Sequence, residues 1–151
     1  MKYYNMSIRN LEYRLRKFDE ILADSLEEVV RSLESVIIDY ISQKQLYDKG
    51  INGAGVEIMS YAPYRPRTIK NKIRKGQPTN RVTLKDTGKF YNSFRVAFEP
   101  GGFRVEATDV KTAKLVEKYG PKIFRLTNEN LGSLLRDYIR PILTERLKAQ
   151  L

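Results

Sequence analysis

Residues 94–99 and 103–108 show apolar positions recurring at every second place, and a Pro-Gly-Gly break separates the two runs. A period of two belongs to strands with one face buried. Phe94, Val96 and Phe98 point one way, with Arg95 and Glu99 pointing the other. After the break Phe103, Val105 and Ala107 are apolar, while Arg104, Glu106 and Thr108 are polar. Parity then fixes the pairing. With Phe98 facing Phe103, Val96 faces Val105, Phe94 faces Ala107, and Arg95 stands opposite Glu106. This register needs an even-numbered loop, either Pro100-Gly101 or the four residues 99–102, and the longer one suits a type I turn better. A three-residue loop would set Phe103 beside Glu99 and mix the faces. The expectation is a β-hairpin whose inner face (Phe94, Val96, Phe98, Phe103, Val105) is covered by helices.

The residues just upstream feed this hairpin. Asp86-Thr87-Gly88 offers an N-cap and a permissive backbone position, and Phe90 and Phe94, four apart, share one face of the short turn that follows.

From residue 1 to 49 there is neither glycine nor proline. Ile8, Leu11, Leu15, Phe18, Leu22, Leu26, Val29, Leu33, Val36 and Tyr40 recur at steps of three and four, with one extra step of four at Leu22 to Leu26. The spacing predicts one amphipathic helix with a stutter, or two helices meeting near Asp24-Ser25, where Ser25 and Glu28 form a capping-box pattern. A single helix over this stretch is roughly 50 Å long, too long for a domain of this size to cover, so it must bend, project or pack on another subunit.

Residues 49–81 differ in character. Gly50, Gly53, Gly55, Pro63, Pro66, Gly76 and Pro78 punctuate them. Between Met59 and Asp86 stand Arg65, Arg67, Lys70, Lys72, Arg74, Lys75, Arg81 and Lys85, eight bases without an acid. Residues 56–61 read as a short strand and 68–75 as a helical turn, within what is otherwise a long basic loop. Its glycines and prolines argue against regular structure and its unbalanced charge against burial in the monomer. Tyr61 and Tyr64 interleave with Arg65 and Arg67, a mixture suited to stacking and phosphate contact, or to contact with a neighbouring subunit. The acidic helix offers it a partner: residues 10–48 hold nine acids against five bases.

Beyond the hairpin, Thr108 or Asp109 can cap a helix carrying Val110, Ala113, Val116 and Tyr119, which Gly120-Pro121 stops. Thr127 or Asn128 caps a last helix, with Leu131, Leu135, Tyr138 and Ile142 on one face and Leu134, Ile139, Leu143 and Leu147 broadening it. Pro141 inside it predicts a kink. The chain thus reads as one α+β domain over residues 1–151: a helical region at 5–48, a basic arm at 49–81 and an α+β core at 82–151.

Composition narrows the chemistry. The 151 residues contain no cysteine and no histidine, which excludes disulfides, thiolate or imidazole metal sites and histidine-based triads. Asp109-Val110-Lys111 resembles the D/E-x-K end of a magnesium nuclease core only loosely, and Asp109 reads better as a helix cap. No catalytic residue, cofactor site or metal site is expected, nor a small-molecule substrate. No apolar run approaches the roughly 20 residues of a membrane span, and the first ten residues lack a signal peptide's apolar segment. The net charge of +10 calls for acidic company: nucleic acid, an acidic protein face or anionic lipid.

Residues 84–94, LKDTGKFYNSF, resemble the L-x-x-T-G-x-[LF]-x-x-S-[IF] signature of the virion-morphogenesis and tail-completion (neck) proteins of tailed phages. Its carriers are Leu84, Thr87, Gly88, Phe90 and Ser93. The downstream order is similar too: a hairpin, a short helix ending Lys118-Tyr119-Gly120, then residues 123–127 leading to a terminal helix. A histidine common near that glycine in the family is absent. The resemblance implies a curved antiparallel sheet with the helices packed on it, and Thr87 and Gly88 as structural residues. It implies a non-enzymatic protein that assembles as a homo-oligomeric ring with other neck or tail proteins. Its place would be the virion, and the host cytoplasm before assembly. The alternative expectation is a nucleic-acid-binding module using the basic loop at 59–85.

Overall fold

The alternating stretch folds as its parity requires. In the computed structural model, which describes residues 8–150, β1 (Phe94–Glu99) and β2 (Gly102–Ala107) pair antiparallel in the expected register: Phe94 with Ala107, Arg95 with Glu106, Val96 with Val105, Phe98 with Phe103. The turn differs from the four-residue loop favoured above. Glu99 pairs with Gly102, leaving only Pro100-Gly101 as the loop. Proline sets its own φ, and Gly101 sits at φ 78°, the sign a type II turn demands at its second central residue. The polar face carries Arg95–Glu106, Arg104–Glu99 and Arg104–Glu106 ion pairs. On the other face only Phe94 and Val105 are buried; Val96, Phe98 and Phe103 are half-buried, so the helices cover the base of the hairpin and not its tip.

The N-terminal stripe forms α1 (Ile8–Ser32), continuous through Asp24-Ser25. The capping-box pattern is therefore not used as a helix start, since an N-cap must leave helical geometry; Ser25 is instead buried inside the helix. The interruption comes later. Ser32 Oγ donates to the Val29 carbonyl at 2.7 Å, and the Leu33 N–H is shared between the Val29 and Val30 carbonyls. Such back-bonding competes with the helical ladder. Then come α2 (Glu34–Asp39) and a π-helical stretch, Tyr40–Lys49, stopped by Gly50 at φ 63°.

Residues 49–81 hold more structure than the expected loop. The predicted strand at 56–61 shrinks to one bridge between Ile51 and Glu57 followed by a 3-10 turn, Ile58–Ser60. The expected helical turn is a nine-residue helix, α3 (Pro66–Arg74). Two of its four glycines mark close contact. A Cβ on Gly53 would lie 2.4 Å from Arg125 backbone and side chain, and one on Gly50 2.8 Å from Arg81 Cβ. Ile58, Ala62 and Val82 are buried, and so is Lys72, against the charge argument.

The rest follows the hairpin: α4 (Lys89–Asn92) before it, then α5 (Thr112–Tyr119), a 3-10 turn Pro121–Phe124, α6 (Asn128–Leu134), a π-helical stretch Leu135–Ile139 and α7 (Arg140–Gln150). Asp109 Oδ1 accepts the Lys111 N–H at 2.8 Å, an Asx-type turn ahead of α5. Val110 is 93% exposed, unlike its expected place on the apolar face. Thr127 caps α6, accepting the Asn130 N–H at 3.1 Å. On the C-terminal helices the buried residues are Leu134 and Ile139; Leu131 and Leu135, expected on the inner face, are exposed. The turn widens at Leu135–Ile139, directly before Pro141, whose ring would meet the Asp137 carbonyl in a regular helix.

The described residues fall into two compact units. In one, formed by described residues 8–33 and 135–150, α7 packs along α1, with Arg146 paired to Glu28 and Gln150 Nε2 donating to Ser25 Oγ at 3.4 Å. The other, Glu34–Leu134, has Ile37, Ile41, Leu46, Ile58, Val82, Ile123 and Leu134 at its centre with no measurable exposure. Within it Glu34 Oε1 accepts the Val96 N–H at 2.9 Å, satisfying an edge donor of β1. Among the described residues no helix is long and apolar enough to cross a membrane.

Candidate interaction surface

The basic stretch is sorted by α3. Pro66 occupies its first turn, where a missing N–H costs nothing. Positions 67, 70 and 74 then share one helical face, and Arg67, Lys70 and Arg74 are all exposed there, as is Arg65 at the N-cap. Among the described residues these four make no ion pair with an acid. Lys72 points the opposite way. Its Nζ donates to the Lys85 carbonyl at 3.0 Å and to Gln77 Oε1 at 3.3 Å, and lies 5.0 Å from the Tyr64 ring centre.

Three further bases are occupied. Lys75 pairs with Asp86 at 2.5 Å. Arg81 Nε donates to the Tyr47 carbonyl at 2.6 Å, with its guanidinium over the Tyr47 ring. Lys85 Nζ stands 4.9 Å from the centre of that same ring. Of the eight bases, four are held by the chain and four face outward. The hydrogen bond from Lys75 holds Asp86 below the ordinary carboxylate value, against the opposing effect of burial.

The two tyrosines are also engaged. Tyr61 is 45% exposed, but its hydroxyl donates to the Tyr119 carbonyl at 2.7 Å. The Tyr64 hydroxyl accepts the Thr83 N–H at 2.9 Å. Both rings therefore hold residues 61–64 against the rest of their unit, and only Tyr61 keeps an outward face.

Four of the five signature residues, Leu84, Thr87, Gly88 and Phe90, border a cleft of about 340 Å³ next to α3. Leu84, Phe90, Leu115 and Tyr119 contribute apolar surface to it, and Lys72, Lys85, Lys89 and Lys111 basic groups. Leu84 adopts φ 56°, a conformation that costs a branched residue about 1–2 kcal/mol. Gly88, at φ 89°, turns the chain into α4, where the Thr87 hydroxyl accepts the Lys89 N–H at 3.4 Å. Phe90 is buried and meets Phe94 edge-on at 4.9 Å, sharing Phe124 with it. Ser93 Oγ donates to the Phe90 carbonyl at 2.8 Å, closing the turn into β1. The geometry of these five residues is that of a structural junction.

Sequence reasoning missed two features. One is the cleft itself, bordered by Leu84 in a left-handed conformation that no pattern announces. The other is Gln45, fully buried in the π-helical stretch, whose amide donates to the Arg125 carbonyl and accepts from Thr127 N–H and Asn130 Nδ2, each at 2.9 Å. Asp86 and Asp109 both border the cleft, yet one is tied to Lys75 and the other to a backbone N–H. No group of three or more potential metal ligands occurs among the described residues. Comparison with protein-family models, curated proteins and solved structures finds no match to this chain.

Proposed function

We propose that this chain is a structural virion protein of a tailed phage or prophage, acting in head–tail joining or tail completion through ring-like self-assembly with other neck or tail proteins. The observation that carries the reading is the signature at residues 84–94, together with the order of elements after it: hairpin, short helix stopped at Gly120, then the terminal helices. The structural roles of Thr87, Gly88, Phe90 and Ser93 support it. In this reading the antiparallel hairpin belongs to a curved sheet with the helices packed on it. The protein works by contact and carries out no reaction. It acts in the virion after passing through the host cytoplasm. The test is to interrupt its gene in a lysogen and examine the induced lysate by electron microscopy. DNA-filled heads separate from tails, or tails lacking their terminal ring, are the expected outcome. Joined, infectious particles would overturn the reading.

A second reading has its own observation: among the described residues the outward bases Arg65, Arg67, Lys70 and Arg74 make no ion pair with an acid. They suit a nucleic-acid backbone, in a free binding module or in a neck through which DNA passes.

A further inference from the structure

The N-terminal half of α1 leaves a stripe uncovered. Ile8, Leu11, Leu15 and Phe18 are exposed by 77, 50, 56 and 39%, and Leu22 is half-buried. Their spacing is three, four, three, four, the a and d positions of two consecutive heptads. The outer positions are mostly polar, with Arg9, Asn10, Arg16, Lys17, Glu20 and Asp24, alongside Tyr13 and Ala23. At the next d position stands Ser25, buried and hydrogen-bonded to Gln150 of α7. The helix thus gives its C-terminal half to its own unit and leaves the heptads free.

We infer that this stripe is a seam for a second copy of the same chain, docking parallel and in register as a short coiled coil. The flanking charges select the occupant and its direction. In a parallel pair each g residue meets the e residue of the following heptad on the partner. Here that sets Arg14 against the second copy's Asp19, in both directions, and Ile21 against its Leu26. An antiparallel pair brings e positions together, placing the acids Glu12 and Asp19 of one helix against those of the other. Two heptads are too few for an isolated peptide, because helix nucleation is unfavourable. This helix is already nucleated by its anchored half, where Val29 and Val30 are buried, so association does not carry that cost. The seam stands on α1 alone and goes beyond the virion reading.

The chain has no cysteine, so a single introduced one gives a clean report. Leu11→Cys is expected to form a disulfide between copies under mild oxidation, because equal d positions meet only in the parallel arrangement. Sedimentation from about 1 µM to 1 mM is expected to show the native chain shifting from monomer to dimer, and Leu15→Glu weakening that association by tenfold or more. Leu15 is exposed in the monomer, so this change leaves the fold intact, which circular dichroism checks. Arg14→Glu and Asp19→Arg each weaken the dimer by about two- to fivefold, and the two together restore it. A chain that stays monomeric, a dimer indifferent to Leu15→Glu, or a Leu11→Cys variant that does not cross-link would each overturn the seam.

Discussion

Tyr91 shows how a side chain that looks like ordinary aromatic core acts through its polar tip. It is buried, and its hydroxyl donates to the Thr83 carbonyl. Burial, with Tyr64 and Tyr47 nearby, pushes its phenol far above the ordinary 10.0. The sign follows from linkage. Below pH 10 the phenol is neutral in folded and unfolded chains alike, so its contribution is full; above it the unfolded chain ionises and the folded one does not. Tyr91→Phe should therefore cost about 1–2 kcal/mol at pH 8. That gap should narrow by about 1 kcal/mol per pH unit above pH 10, as the other tyrosines cancel in the difference. Urea titrations at pH 8 and 11 measure it; an equal gap at both would refute the account. Gln45 makes a sharper case, since its amide answers three polar groups at once. Gln45→Ala should cost about 2–4 kcal/mol by chemical denaturation. Gln45→Met, which refills the volume, should recover little, because the loss lies in unsatisfied polar groups rather than in a cavity.

The hairpin was legible because its information is local: a period of two and a loop of known parity decide the pairing without reference to anything distant. Coverage of its face is not local, and there the sequence misleads. Phe94 is buried against Phe90 and Phe124, whereas Phe98 near the tip has Phe103 at 6.4 Å and remains half-exposed. Phe94→Ala should thus cost about 3–5 kcal/mol and Phe98→Ala only about 1–2 kcal/mol, measured side by side in denaturant. Equal costs would mean that the tip is covered after all. The same distinction explains α1 and residues 49–81. Apolar spacing found the helix, but the candidate break at Asp24-Ser25 was not used, because the burial that recruits Ser25 comes from a helix more than a hundred residues later. Glycines in residues 49–81 read as looseness, yet Gly50 and Gly53 mark close approach of residues distant in sequence. The pattern showed the eight bases of the stretch but could not sort them, because the sorting is done largely by carbonyls and rings outside it.

That sorting sets how far the net charge of +10 can act. A base already bonded to a carbonyl, a ring or a carboxylate has little to offer a phosphate, so the count of eight overstates the electrostatic footprint by the four that are engaged. Each phosphate contact contributes about −0.9 to the slope of log affinity against log salt concentration on duplex DNA. Neutralising Arg67, Lys70 and Arg74 to glutamine together should therefore make the slope shallower by about 2–3 if α3 meets DNA. The three positions are exposed and glutamine keeps helix propensity, so the fold should survive the change. Lys72→Gln is the contrasting variant. It removes a buried donor to the Lys85 carbonyl, and should lower stability while leaving the slope almost untouched. Fluorescence anisotropy with a short duplex at several salt concentrations reads both. A slope that ignores the triple change would reject DNA as the partner of α3. Loss of higher-order assembly in the same variant, with Leu11→Cys cross-linking retained, would assign that face to an acidic surface on a neighbouring copy.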